Sequence, residues 1–161
     1  MTAPETDGLR AQVADYLRTH HTMTIATAAP EGNAPHAASV FYAVDDDLRL
    51  VFLSRPTSVH GSHIGAAAPV AITVSEEYED WEMIQGVQVW GQARLLGGAA
   101  KAGALVLYMK RFPFVRELAS HPSYAGALRD IGVYRVDPER AAFTDNTAGV
   151  FGRKMLELMG E

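Results

Sequence analysis

The stretch His36–Ser54, HAASVFYAVDDDLRLVFLS, decides the fold. His36–Val44 is apolar on both faces, the acidic turn Asp45–Asp47 follows, and a second β run occupies Leu48–Ser54. Two such runs joined by a tight turn make a hairpin. Upstream, Met23 and Ile25 alternate with Thr22, Thr24 and Thr27, and the run stops at the turn composition Ala29-Pro30-Glu31-Gly32-Asn33. Three strands this close in sequence leave no room for the crossover helices that a parallel sheet requires. Downstream, Pro56 ends the β pattern. TSVHGSHIGAAAP reads as a short helix or turn that Pro69 closes before the strand Val70–Ser75. After the acidic segment Glu76–Glu82, Met83–Leu96 is a long β run in which Gly86 and Gly91 mark a bulge or a close approach. A helix over Ala99–Phe112 and a further turn over Phe114–Ala119 flank Pro113. Gly132–Val136 and Arg140–Asp145 read as two strands around an Asp137–Pro138 turn. Leu9, Val13, Tyr16 and Leu17 recur at helical spacing, placing an opening helix over residues 7–19. Six or seven short strands, mostly joined by hairpins, define a mainly β chain: a small antiparallel barrel with peripheral helices.

Composition supports one ordinary domain over residues 1–161, with 48% hydrophobic and 20% charged residues. The absence of cysteine removes disulfide scaffolds, Cys-rich zinc folds, Fe–S clusters and thiol catalysis. The start MTAPETDGLR is no secretory signal, and no apolar run approaches the ~20 residues of a membrane span, so a cytoplasmic protein without a membrane partner is expected. Charge is uneven: residues 1–80 carry 4 Lys+Arg against 11 Asp+Glu, and residues 81–161 carry 10 against 8, for a net −5. An acidic chain is poorly suited to nucleic acid, whereas one small anionic ligand fits.

Four constellations carry chemistry. Ser54-Arg55-Pro56-Thr57-Ser58-Val59-His60 sets hydroxyls, a guanidinium, an imidazole and backbone N–H groups beyond a β run, a mixture that suits a phosphate monoester. The same Thr57 or Ser58 also suits a simple helix cap, and spacing alone favours the cap. His60 and His63 form a weak metal pair with no characteristic zinc motif around them, and no metal site is expected. Gln88, Trp90 and Gln92 face one way along a strand, an indole between two amides that suits a flat heteroaromatic ring; a Trp in the core or in a dimer interface explains it equally well. The ending FTDNTAGVFGRK is polar and glycine-bearing, which suits a covering segment over residues 144–161, while Phe151, Met155 and Leu156 suit a staple on the barrel.

On these residues the chain resembles the pyridoxamine 5'-phosphate oxidase-like, FMN-binding split-barrel superfamily. The similarity runs over the opening helix, His36–Tyr42, Ser54–Ile64 with Pro69-Val70-Ala71, and Gly86-Val87-Gln88 with Gly91 and Ala93. The ending FTDNTAGVFGRK, with Arg111-Phe112-Pro113, is similar to a branch of small bacterial members. The resemblance implies a six-stranded split barrel and a homodimer with FMN at the subunit interface. It also implies a flavin-dependent oxidoreductase acting on a small-molecule substrate, with no catalytic acid or base required of the protein. It places Ser39, Val40 and Phe41 at the flavin ring, Ser54 and Arg55 at the ribityl and phosphate region, and Thr57, Ser58 and His60 at the phosphate. Gln88 and Trp90 would reach the flavin from the partner subunit. His60 stands where many relatives have Lys, so Arg55 or the Arg153-Lys154 pair would supply the charge. Asn146 and Lys154 are expected on the cofactor or on an anionic substrate. Split barrels that bind or handle haem, and non-catalytic flavin-binding modules, are the alternatives.

Overall fold

The computed structural model describes residues 2–32, 34–149 and 152–158, with the backbone only at 125 and 127–129. Six strands form a closed antiparallel barrel: β1 (Thr22–Ala28), β2 (Pro35–Val44), β3 (Leu50–Ser54), β4 (Ala67–Ser75), β5 (Gln85–Leu95) and β6 (Gly132–Asp145). Their order is β3-β2-β1-β4-β5-β6, and β6 returns to pair with β3, so the sheet closes on itself. Closure leaves the sheet without free edges along the paired segments. A seventh strand, β7 (Arg153–Glu157), adds to the C-terminal half of β6.

Side chains alternate across each strand, and the barrel interior takes one set: Met23 and Ile25, Tyr42, Leu50 and Phe52, Ile72 and Val74, Val87 and Val89, Tyr134 and Val136, all at most 3% exposed. Helix α1 (Ala3–Thr19) lays Leu9, Val13 and Leu17 onto this core. It begins earlier than periodicity suggests because the Thr2 N–H donates to the Glu5 carboxylate at 2.7 Å, closing the first turn with a capping interaction. Helix α2 (Val59–Ile64) lies between β3 and β4 in sequence. Helices α3 (Gly98–Arg111) and α4 (Phe114–Ser120) cover the outside of β2, β3 and β6. There Ala104, Tyr108, Phe112 and Val115 pack with Ala43, Val51 and Val133. That second cluster accounts for part of the two-sided apolarity of His36–Val44: Tyr42 points into the barrel and Ala43 under α3. Helix α5 (Pro122–Arg129), which periodicity does not mark, precedes β6. None of the helices among the described residues is long and apolar enough to cross a membrane.

Two expectations are corrected. Gly132–Val136 and Arg140–Asp145 are one strand, β6, and Asp137–Pro138 is no turn. The ladder with β5 shifts register between Trp90 and Gly91, opposite Asp137–Glu139, so the missing N–H of Pro138 falls at an irregularity where the strand tolerates it. A Cβ on Gly91 would lie 2.2 Å from the Asp137 carbonyl oxygen, which is why glycine stands there. The second β run starts at Leu50 and not Leu48. Asp45 Oδ1 accepts from the N–H groups of Asp47 and Arg49, and Leu48 takes φ 62° in the turn while its side chain stays buried.

Candidate functional site

The register builds a continuous rung on the outside of the barrel. Ser39 on β2 lies opposite Thr24 on β1, Thr24 opposite Thr73 on β4, and Thr73 opposite Gln88 on β5. The next rung reads Ala37, Ala26, Ala71 and Trp90. Both rungs are uncharged, and Ser39, Thr73, Ala26 and Ala37 are exposed, which is unusual for the solvent face of a sheet. Phe41, 47% exposed, extends this face toward Phe112 and Phe114, with ring centroids 5.3 and 6.1 Å away. Val40 alternates inward and packs on the barrel core, so only its backbone borders the outer face.

The Ser54–His60 segment divides into two parts. Arg55 and Thr57 are exposed on the turn that follows β3. Ser54, Ser58 and His60 are engaged in holding that turn. Ser54 Oγ lies 2.6 Å from His60 Nε2 and 3.1 Å from Ser58 Oγ; Ser58 donates to the Arg55 carbonyl at 2.7 Å and accepts from the Gly61 N–H at 3.0 Å. Ser58 is therefore the cap of α2. Gly61 has no room for a side chain, since a Cβ would sit 2.4 Å from the Arg55 carbonyl oxygen. The His60 imidazole is buried, and burial, reinforced by His36 and His63, holds its pKa below the ordinary histidine value. It faces Ser54 and not solvent.

At the other margin, Trp90 carries two guanidinium groups that sequence reasoning did not bring to it. Arg140, its register partner on β6, lies 4.7 Å from the ring centroid, and Arg153 on β7 lies 5.8 Å away. Neither arginine has an ion-pair partner among the described residues. A groove of about 440 Å³ runs beside them, lined by Pro69, Trp90, Arg140, Glu139 and Glu157. The signal for Arg140 was available: it alternates with Ala142 and Thr144 on a strand, as Trp90 does with Gln88 and Gln92. Asn146 and Lys154 do not join this face. Asn146 donates to the Trp81 carbonyl at 2.8 Å and ties two short 3-10 turns, Trp81–Met83 and Asn146–Ala148, together. Lys154 lies opposite Phe143, whose side chain points to the core, and its charge acts on Glu5 at the start of α1. Phe151 lies outside the described residues, whereas Leu156 is 1% exposed in the core.

The closed six-stranded barrel with its outer rung defines the class, a split-barrel protein. A family model described as pyridoxamine 5'-phosphate oxidase matches residues 9–148. A UPF0306 protein of Klebsiella pneumoniae is 35% identical over 119 residues, 73% of this chain and 73% of the relative. A UPF0306 protein of Cronobacter sakazakii is 31% identical over 151 residues, 92% of this chain and 94% of the relative. The chain therefore belongs to the pyridoxamine 5'-phosphate oxidase family and to its UPF0306 group. Among solved structures, a haem-binding protein from Mycobacterium smegmatis superposes with a TM-score of 0.69 at 18% identity, covering 90% of this chain and 57% of that one; the likeness is one of fold.

Proposed function

We propose that the chain is an FMN-binding, flavin-dependent oxidoreductase that acts on a small molecule, and that it works as a homodimer with the flavin between the copies. The observation that carries this reading is the uncharged outer rung Ser39–Thr24–Thr73–Gln88, with the exposed Arg55–Thr57 turn following the adjacent strand β3. The flavin ring is flat and uncharged with donors and acceptors at its edge, and small hydroxyl and amide side chains on the outer face of the barrel suit it. One fixed guanidinium and one free hydroxyl on a rigid turn suit a phosphate monoester.

Distance supports the dimer. Three strand spacings separate Ser39 from Gln88, roughly 14 Å at about 4.8 Å each. A ring bordered by Ser39 to Phe41 does not extend to Gln88 of the same copy, whereas a second copy packed against this face brings its own Gln88 and Trp90 within reach. FMN supplies the electron and hydride transfer when bound. Ser39, Phe41 and the Val40 backbone border the ring, and Arg55 and Thr57 bind the phosphate. Ser54, Ser58 and His60 hold the phosphate-binding turn in place. Asn146 belongs to the supporting frame, and Lys154 is exposed on β7 away from this face.

Titration with FMN and riboflavin, followed by quenching of flavin fluorescence, tests the reading. FMN is expected to bind at least about tenfold more tightly, since hydrogen bonds to a charged group contribute ~1.5–3 kcal/mol, and Arg55→Ala should close most of that gap. Equal affinities would remove the phosphate turn from the account. A Soret band on haem addition, with no flavin bound, would replace the reading with a haem-binding one.

A further inference from the structure

Three of the chain's six histidines meet at α2. His36 comes from β2, His60 and His63 from α2. The His36 ring lies 5.9 Å from His60, nearly parallel at 12°, and 6.2 Å from His63, nearly perpendicular at 87°. Hydroxyl groups complete the cluster: Ser54 Oγ at His60 Nε2, and Thr27 Oγ1 at 3.0 Å from His63 Nδ1. The strands that pack directly on α2, namely β1, β2, β4 and β5, contain no carboxylate. β1, β3 and β4 contain no titratable residue, and β5 contains only Arg94, which is exposed and paired with Asp137. Besides His36, β2 offers Tyr42, whose hydroxyl donates to the Leu17 carbonyl; β6, which pairs with β3, offers the buried Tyr134, stacked on Phe52. The charged residues of β6 are engaged elsewhere: Arg135 and Asp137 with each other, Glu139 with Gln92, Arg140 on Trp90 and Asp145 with Gln85. Arg55 follows Ser54 and is exposed.

We propose that α2 is a proton-sensitive latch: uptake of protons by the His36–His60–His63 cluster opens this short helix and releases the Arg55–Thr57 turn that it holds. A positive charge inside the cluster has two imidazoles as neighbours and, among the described residues, no anion paired with it. A helix of six residues has little stability of its own and is held by Ser58, the Gly61 contact and these rings. Opening returns His60 to water, where it accepts a proton at its ordinary value.

The direction follows from linkage. His60 in the closed state lies below 6.5, so the open state binds more protons than the closed state as pH falls beneath that value. Well above pH 6.5 His60 is neutral in both states and the latch is shut. Below it, the closed state loses up to about tenfold in relative population per pH unit for each proton captured on opening. The effect on phosphate binding rests on the FMN reading; the opening itself does not.

Amide exchange of the full chain without flavin tests the latch. Protection factors for residues 59–64, corrected for intrinsic exchange, are compared with those of α3 between pH 8 and pH 5. Protection of α2 is expected to fall about fivefold or more from pH 7 to pH 5.5 relative to α3, and His36→Asn or, separately, His63→Asn should lessen the dependence without abolishing it, since burial of His60 remains. Parallel behaviour of α2 and α3 in the wild-type chain would overturn the proposal without any variant. FMN and riboflavin titrations at pH 7.5 and 5.5 separate the two readings: an α2 that opens on acidification in a chain that binds no flavin keeps the latch and removes the FMN site.

Discussion

Leu156→Ala tests whether the C-terminal segment is a staple or a cover. Leu156 is 1% exposed, stands opposite Ala141 on β6 and belongs to the same core cluster as Leu9 and Val13 of α1. Truncating a fully buried leucine costs about 2–5 kcal/mol, the spread reflecting how far the site collapses. β7 has five residues and pairs only with β6 among the described strands, so it relaxes more easily than a central strand, and the lower part of that range, about 2–3 kcal/mol, is expected. In a domain of this size each kcal/mol lowers Tm by roughly 2–4 °C, which gives a fall of about 5–10 °C. Thermal unfolding followed by circular dichroism measures it, with Met155→Ala and Lys154→Ala as comparators on exposed side chains of the same strand; both should stay within about 2 °C. A Leu156→Ala protein that melts within about 2 °C of the wild type while retaining less flavin would refute the staple and make β7 a cover.

Three shorter tests address the frame and the assembly. Gly91→Ala places a Cβ against the Asp137 carbonyl and should lower the urea midpoint by the equivalent of at least about 1–3 kcal/mol, whereas Gly86→Ala, whose nearest neighbour is at 3.2 Å, should cost less; equal midpoints would remove the bulge from the account. Tyr134→Phe deletes a buried hydroxyl that has no hydrogen-bond partner among the described residues, so chemical unfolding should show stability unchanged or raised by about 1 kcal/mol, and a clear loss would reveal an interaction at that oxygen. Sedimentation equilibrium at micromolar concentration should give twice the 17.4 kDa chain mass, and a monomer that binds FMN would contradict the interface site.

The strands were legible because their alternation survives locally. Met23 and Ile25 point inward with threonines between them, and the same period runs from Val87 to Ala93. What was not legible depends on partners distant in sequence. Asp137–Pro138 has turn composition, and only the pairing of β6 with Gly91 shows that the chain runs straight through it. Likewise β7 is strand because β6 offers it a free ladder, not because RKMLE alternates clearly. At the site, the Ser54–His60 segment was found from residue types, but its division of labour was not. Whether a hydroxyl faces a ligand or a backbone N–H depends on the turn, and Ser58 is consumed by Gly61. Trp90 was visible, and alternation also puts Arg140 on one face of its strand, but that the two are neighbours is a register fact spanning fifty residues of chain.

The alternation that makes the barrel also separates two kinds of work. Inward positions Ser54 and Thr27 hold the imidazoles of His60 and His63 on α2, with the His36 ring beside them, and a substitution there acts through α2. Outward positions Ser39, Thr24, Thr73, Gln88 and Trp90 contribute little to the core, yet they are kept free of charge across four strands. A solvent face has no reason to exclude Lys and Glu, because edge and surface charges protect sheets from association. Exclusion of charge over this face is intelligible when a flat ligand or a second copy covers it. The arginines stacked on Trp90 then mark where the uncharged face ends and an anion can be met.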